Sequence, residues 1–227
     1  STFKLPLAGL VLLEADQGRL DLDEVVPLVE ADRVPHAPVT GPHIGKGGLR
    51  LIDLIKAAQK TSDNVAANVV LRRLGGPPRF TELLRALGDR ETRLDRLEPV
   101  LNLVGRGERR DTTTPLAIAS TFARFTTGTV LSAPVRQMLV RWMVETDTGR
   151  LRLRAGLPPD WLAGDKTGTA LAPAIKDKIN DVAVAWPPGR APCVIACYLE
   201  TGQASESISS EDEKIHSEVA QIVAQML

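Results

Sequence analysis

The sequence predicts an α+β fold, an all-helical region followed by a small antiparallel sheet packed with helices. Two observations carry this. Through the first two thirds, apolar residues recur at helical spacing between Gly and Pro breaks. In the last third, short strand-like runs are separated by turn residues, and one amphipathic helix closes the chain. The change falls within residues 146–160 and divides an all-helical region, 1–148, from an α/β region, 149–227.

The elements follow in order. Thr2 to Ala15 is strongly apolar and stops at Gly18, with Ser1 placed as N-cap and Pro6 tolerable in the early turns. A Pro- and Gly-rich loop runs from Pro35 to Gly48. Helices are expected at Leu49–Gln59, at Asn64–Leu74 (opened by Ser62-Asp63, stopped by Gly75-Gly76-Pro77-Pro78) and at Pro78–Leu87. Arg93 to Asp111 lacks a clean period and carries Pro99, Gly105 and Gly107, so it reads as a long compact loop, a feature that usually serves function. Further helices are expected from Thr114-Pro115 to Phe125 and from Ala133 to Glu145. Leu151 and Leu153 alternate with Arg150, Arg152 and Arg154, which suits an extended segment as well as a helix. Strands are expected at Trp161–Thr169, Val182–Trp186 and Cys193–Glu200, then a helix at Glu211–Met226.

Composition excludes several classes. Lys plus Arg equals Asp plus Glu, 28 each, so no net charge draws the chain to nucleic acid or an anionic membrane. No apolar run is long enough to cross a bilayer. Cys193 and Cys197 lie four apart on one strand, roughly 13 Å, beyond disulfide reach, and are expected as buried thiols. The His and Cys residues match no metal spacing, and no cofactor is expected.

Three short motifs carry chemistry. Ser1-Thr2-Phe3-Lys4 is an S-x-x-K, whose i,i+3 spacing brings the Lys4 amine to the Ser1 hydroxyl. A serine needs a neighbouring base to become nucleophilic, and a lysine of lowered pKa can serve. Alone this pattern is weak, turning up about once in a chain of this size. Ser62-Asp63-Asn64 stands where a loop enters a helix, and alone it reads as simple capping. Lys166-Thr167-Gly168-Thr169 ends a strand: a cation, two hydroxyls and a glycine that admits close approach. Alone it reads as a solvated strand end.

Together and in this order, S-x-x-K, S-D-N and K-T-G are the set shared by class A β-lactamases and penicillin-binding proteins. Glu98-Pro99-Val100-Leu101-Asn102 matches the E-x-x-L-N of class A. Arg96 and Asp111 flank it like that family's loop-closing ion pair, and Thr112-Thr113-Thr114-Pro115 follows. The chain therefore resembles the class A serine β-lactamases along its whole length, which implies a β-lactamase/transpeptidase-like fold.

The resemblance implies the roles. Ser1 attacks the β-lactam carbonyl, and Lys4 or Glu98 (the latter through a water) takes its proton. Ser62, helped by Lys166, relays a proton to the ring nitrogen, and the backbone N–H groups of Ser1 and Thr169 hold the oxyanion. Glu98 with Asn102 aims the deacylating water, while Asn64 binds the substrate amide and steadies Lys4. Lys166, Thr167, Gly168 and Thr169 receive the substrate carboxylate. Some members anchor that carboxylate with an arginine after K-T-G, where Asn180 stands here; others use one before it, where Arg152 stands. His36 falls at the family's aromatic gatekeeper position. The implied partner is a small-molecule β-lactam, with no nucleic acid and no membrane, for a monomer that is periplasmic or secreted.

One departure is the start. The family has a helix and two strands before the nucleophile; the resemblance, laid on a chain that begins with Ser1, leads us to expect them absent and Cys193–Glu200 to be a bare sheet edge. Two alternatives to hydrolysis follow: a penicillin-binding receptor or transpeptidase-like domain that acylates without turnover, and an inactive truncated fragment.

Overall fold

The computed structural model describes residues 1–227. Eight helices surround two antiparallel sheets. The helices are α1 (Lys4–Asp16), α2 (Leu51–Lys60), α3 (Asn64–Leu74), α4 (Gly76–Ala86), α5 (Pro115–Thr126), α6 (Ala133–Val144), α7 (Leu153–Gly156) and α8 (Ser210–Met226). A two-stranded ribbon pairs β1 (Val25–Val26) with β2 (Leu49–Arg50). The main sheet runs in the order β3 (Leu162–Ala170), β4 (Lys178–Trp186), β5 (Cys193–Glu200), with β5 at one edge as expected.

Local chemistry sets most boundaries. Asp63 caps α3 by accepting the Ala66 N–H at 2.9 Å, and Gly75, at φ 111°, closes it in the left-handed region that glycine adopts without strain. Thr114 caps α5 ahead of Pro115, and Ser209 caps α8. Helix α1 is apolar all round and buried from Lys4 to Glu14, the pattern of a helix at the centre of a domain. It packs in one apolar cluster with α2, α3 and α4.

The main sheet separates two smaller clusters by the period-2 alternation of β4. Val182 and Val184 join Leu5, Ile118, Phe122 and Met143 on the side of the helical region. Ala183 faces the other way and joins Leu153, Ile195 and Ala220, under α7 and α8. Thus the sheet lies between the helical region on one face and α7 and α8 on the other.

Several expectations need correction. Ser1 is not an N-cap: α1 starts at Lys4 with Phe3 at its cap and no side-chain cap bond, because the Ser1 hydroxyl is engaged by other residues. Leu49 and Arg50 precede α2 as a strand, since their backbone pairs with Val25–Val26, a contact no local pattern announces. Helix α4 begins at Gly76, earlier than expected, because Pro77 and Pro78 occupy first-turn positions where a missing N–H costs nothing. Strand β4 begins at Lys178, as its partners on both sides extend that far. The Arg150–Arg154 segment ends in the one-turn helix α7. Cys193 and Cys197 are free but only half-buried, packed against the cluster of Leu153, Ala183, Ile195 and Ala220.

Gly9 marks the tightest helix contact. A Cβ there would lie 2.6 Å from the Phe125 ring. Gly9→Ala should therefore overpack the α1–α5 contact and cost about 1–3 kcal/mol. In thermal unfolding that reads as a Tm lower by roughly 2–10 °C.

Candidate active site

The site forms where the start of α1, the turn before α3, the 93–111 loop and the end of β3 converge. Lys4 is its centre and is fully buried. Its ammonium donates to Ser1 Oγ at 2.9 Å, Ser62 O at 2.8 Å and Asn64 Oδ1 at 2.6 Å, which accounts for its three hydrogens. Glu98 Oε1 lies 3.1 Å away and completes an ion pair whose side chains are both inaccessible to solvent. Ser1 Oγ donates to that same Glu98 Oε1 at 3.0 Å, so the hydroxyl sits between an amine and a carboxylate.

Glu98 is fixed from both ends. Asn102 Nδ2 donates to Oε2 at 2.5 Å. Its backbone N–H and C=O both bond to the Asn68 side chain at 2.9 Å. Asn68 lies one turn after Asn64 on α3, so this single helix face holds Lys4 with one amide and Glu98 with the next. Sequence reading passed over Asn68; its signal was the i,i+4 spacing from Asn64. The loop's neck is closed by the expected pair, with the Arg96 guanidinium donating to Asp111. The other Asp111 carboxylate oxygen accepts the N–H groups of Asp95 and Arg96 at 2.7 and 2.9 Å.

Ser62 stands at φ 58°, the left-handed region, which costs a non-glycine residue of order 1–3 kcal/mol. Its neighbour Asp63 makes that conformation persist. Fully buried, Asp63 accepts from Val39 N, Thr40 N, the Thr40 hydroxyl and Ala66 N, all within 3.0 Å. The middle residue of S-D-N is thus a pin, and the strained serine beside it presents Oγ to Lys166 Nζ at 3.0 Å and to Lys4 at 3.3 Å.

On β3, Lys166 is fully buried, and Gly168 abuts the nucleophile: a Cβ on it would lie 3.3 Å from Ser1 N. Thr167 shares a 2.8 Å hydrogen bond with the hydroxyl of Thr148, a residue the sequence did not single out. The Thr169 hydroxyl accepts from Arg152 Nη2 at 2.8 Å, and Arg152 Nη1 donates to Asn180 O at 2.8 Å. Thr148, Thr167, Thr169 and Arg152 therefore form one polar row at the end of β3, with Arg152 only 2% exposed. Asn180 contributes a carbonyl to this row. His36 stands apart: it is exposed at φ 63°, its Nε2 2.9 Å from Thr61 O, and its carbonyl accepts the Asn64 N–H at 2.9 Å. A cavity of about 300 Å³ opens beside Ser1, with Asn102, Val104, Thr113, Thr169 and Asn180 among its walls.

The electrostatics follow from burial and pairing. Burial pushes the Glu98 carboxyl up, but adjacent Lys4 and the hydrogen bonds from Lys4 and Ser1 outweigh it and hold the group at about 2. Burial also pulls Lys4 below the ordinary lysine range, against the attraction of Glu98. Lys166 is brought down to about 7, first by burial and then by repulsion from Lys4. The arrangement can deprotonate a hydroxyl, stabilise an anion beside Lys166, and hold a carboxylate poised over the nucleophile.

Comparison with known proteins agrees with this geometry. Residues 1–227 match the model of the Beta-lactamase enzyme family. Beta-lactamase L2 of Stenotrophomonas maltophilia is 46% identical over 206 residues, 90% of this chain and 66% of its own length. Beta-lactamase AST-1 of Nocardia asteroides is 44% identical over 227 residues, 100% of this chain and 71% of its own. The chain thus spans about two thirds of the length of these relatives. Among solved structures, an ancestral class A β-lactamase superposes with a TM-score of 0.92 at 45% identity, covering 100% of this chain and 84% of that one.

Proposed function

Because the chain belongs to the class A β-lactamase family, we propose that it hydrolyses β-lactams through a serine acyl-enzyme, the activity by which such enzymes confer antibiotic resistance. One observation supports this above the rest: Ser1 Oγ lies 2.9 Å from Lys4 Nζ and 3.0 Å from Glu98 Oε1, while Asn102 holds the other oxygen of Glu98.

In acylation Ser1 Oγ attacks the ring carbonyl, and its proton passes through a water to Glu98, or to Lys4 once Lys4 has given one of its own protons to Glu98 and stands as the free amine. The carbonyl oxygen becomes an anion held by the backbone N–H groups of Ser1 and Thr169. Collapse breaks the ring C–N bond, and Ser62 protonates the departing nitrogen and is resupplied from Lys166, 3.0 Å away. The substrate carboxylate lies along Lys166, Thr167, Thr169 and Arg152, with the Thr148 hydroxyl beside Thr167. Asn64 and Asn102 take the side-chain amide, and His36 borders the mouth.

Deacylation needs a base aimed at a water next to the ester. Glu98 supplies it. Esterification removes the Ser1 hydroxyl hydrogen bond that helps keep Glu98 acidic, so its carboxylate becomes more basic when it is needed. That turnover step separates this reading from a receptor that stays acylated. By family the enzyme works in the periplasm or outside the cell as a monomer.

Intact mass spectrometry of the chain mixed with a penicillin tests the reading. Penicilloate should accumulate with no lasting adduct. A permanent adduct would move the assignment to a receptor, and a folded chain giving neither adduct nor product would end it.

Lys166 also predicts a pH profile. Its ammonium is present below about 7 and lost above it, so the carboxylate site loses a positive charge as pH rises. kcat/KM should show an alkaline limb near pH 7, since that ratio reports the free enzyme. Lys166→Arg, which stays charged, should move the limb upward.

A further inference from the structure

The segment that carries Arg152 is tied to the back of the sheet at three points. Gly149 approaches Asp165 so closely that a Cβ would lie 1.2 Å from its Oδ2. Arg154 Nη2 pairs with Asp165 Oδ1 at 3.1 Å. Between them, Asp181 Oδ2 accepts the N–H of Leu153, the residue following Arg152, at 3.1 Å. That N–H is the first of the one-turn helix α7 and has no intrahelical partner, so a carboxylate from β4 caps it across the fold. Asp181 is fully buried and pairs in register with Thr167 of K-T-G, on the face of the sheet that α7 and α8 cover. Its other oxygen, Oδ1, has no hydrogen-bond partner. A buried carboxyl left half-satisfied is a costly way to cap a four-residue helix.

We propose that Asp181 is a positioning residue: by holding the Leu153 N–H it fixes the Arg152 backbone so that the guanidinium reaches Thr169 and Asn180 and meets the substrate carboxylate. This rests on the hydrolase reading and on Arg152 as that carboxylate's anchor. Arg152 adopts φ −101°, ψ −131°, neither helical nor regular strand, and besides Thr169 and Asn180 its side chain lies 3.5 Å from Glu213 of α8. Without the Asp181 contact, the turn retains its ends but loses the bond adjacent to Arg152. Small errors of placement at a recognition group have large kinetic effects.

The test compares benzylpenicillin with its uncharged methyl ester on the full chain. Asp181→Ala should raise KM for benzylpenicillin roughly tenfold to a hundredfold. kcat and the ester's kinetics should stay close to wild type. Asp181→Asn, whose amide oxygen still accepts the Leu153 N–H, should restore most of the lost preference for the free acid. Asp181→Leu fills the same space without an acceptor and should behave like Asp181→Ala, which covers the case where the cavity variant fails to fold. Equal losses on acid and ester in a folded variant, or an unchanged ratio, would overturn the proposal. A wild-type chain that opens neither compound overturns the hydrolase reading itself and this inference with it.

Discussion

Glu98→Gln should stall the enzyme after acylation. The amide keeps the size of the side chain and an oxygen for Asn102, but it cannot accept a proton from water. Deacylation should slow by about 10²–10⁴, the usual contribution of a positioned base. Acylation should survive, because without the Glu98 charge the buried Lys4 shifts toward its free amine, and that amine, 2.9 Å from Ser1 Oγ, can take the proton. Time-resolved intact mass should then show a stoichiometric penicilloyl adduct on a chain that in wild-type form clears it. A variant that never acylates would assign the first proton transfer to Glu98 and leave Lys4 as an electrostatic neighbour. One that turns over normally would remove Glu98 from deacylation.

Lys4→Met should damage both chemistry and stability. The substitution keeps volume and removes the only cation in contact with a fully buried Glu98. Breaking a buried ion pair by removing one partner costs about 3–5 kcal/mol. The loss should show as a Tm lower by roughly 6–20 °C at pH 7. The sign with pH is distinctive. In the wild type Glu98 sits at about 2, below its ordinary 4.5, so its stabilisation is present above the ordinary value and is lost as pH falls toward 2. In the variant the strongest influence holding the carboxyl down is gone and burial, the largest cause of all, carries it above its ordinary value against the Ser1 hydrogen bond, so protonation favours the folded state. The Tm gap between the two proteins should therefore narrow on moving from pH 7 to pH 5. A gap that is constant with pH would show that the loss comes from packing and not from charge. kcat/KM should fall by about 10²–10⁴ in the same variant.

Much of the molecule was legible in the chain itself. The long helices were, because burying one face writes a period of about 3.6 into adjacent residues. The stop at Gly75 and the start at Thr114-Pro115 were legible for an equally local reason, since caps and prolines act within one turn. The residues meeting at Lys4 were legible as ordered motifs, and the structure brings Ser1, Ser62, Asn64 and Glu98 together around it. The short ribbon of Val25–Val26 with Leu49–Arg50 was not, because two residues carry no period and their pairing spans more than twenty positions.

What the sequence determined by itself is the inventory of the proposed site: which hydroxyls, which carboxyl, which amines, and which strand and helices carry them. These depend on residue type and short spacing, and both are written in the chain. Only the tertiary structure decided how the inventory is held. It turned Asp63 from a helix cap into the pin of a strained serine, made Asn68 the clamp on Glu98, and set Thr148 beside Thr167. It placed Arg152 out of solvent, with Asp181 fixing the residue next to it. The physical reason is distance along the chain: each of these contacts joins residues between 19 and 30 positions apart through buried hydrogen bonds. Such bonds are specified by the packing of whole elements, and no local pattern of residues encodes them.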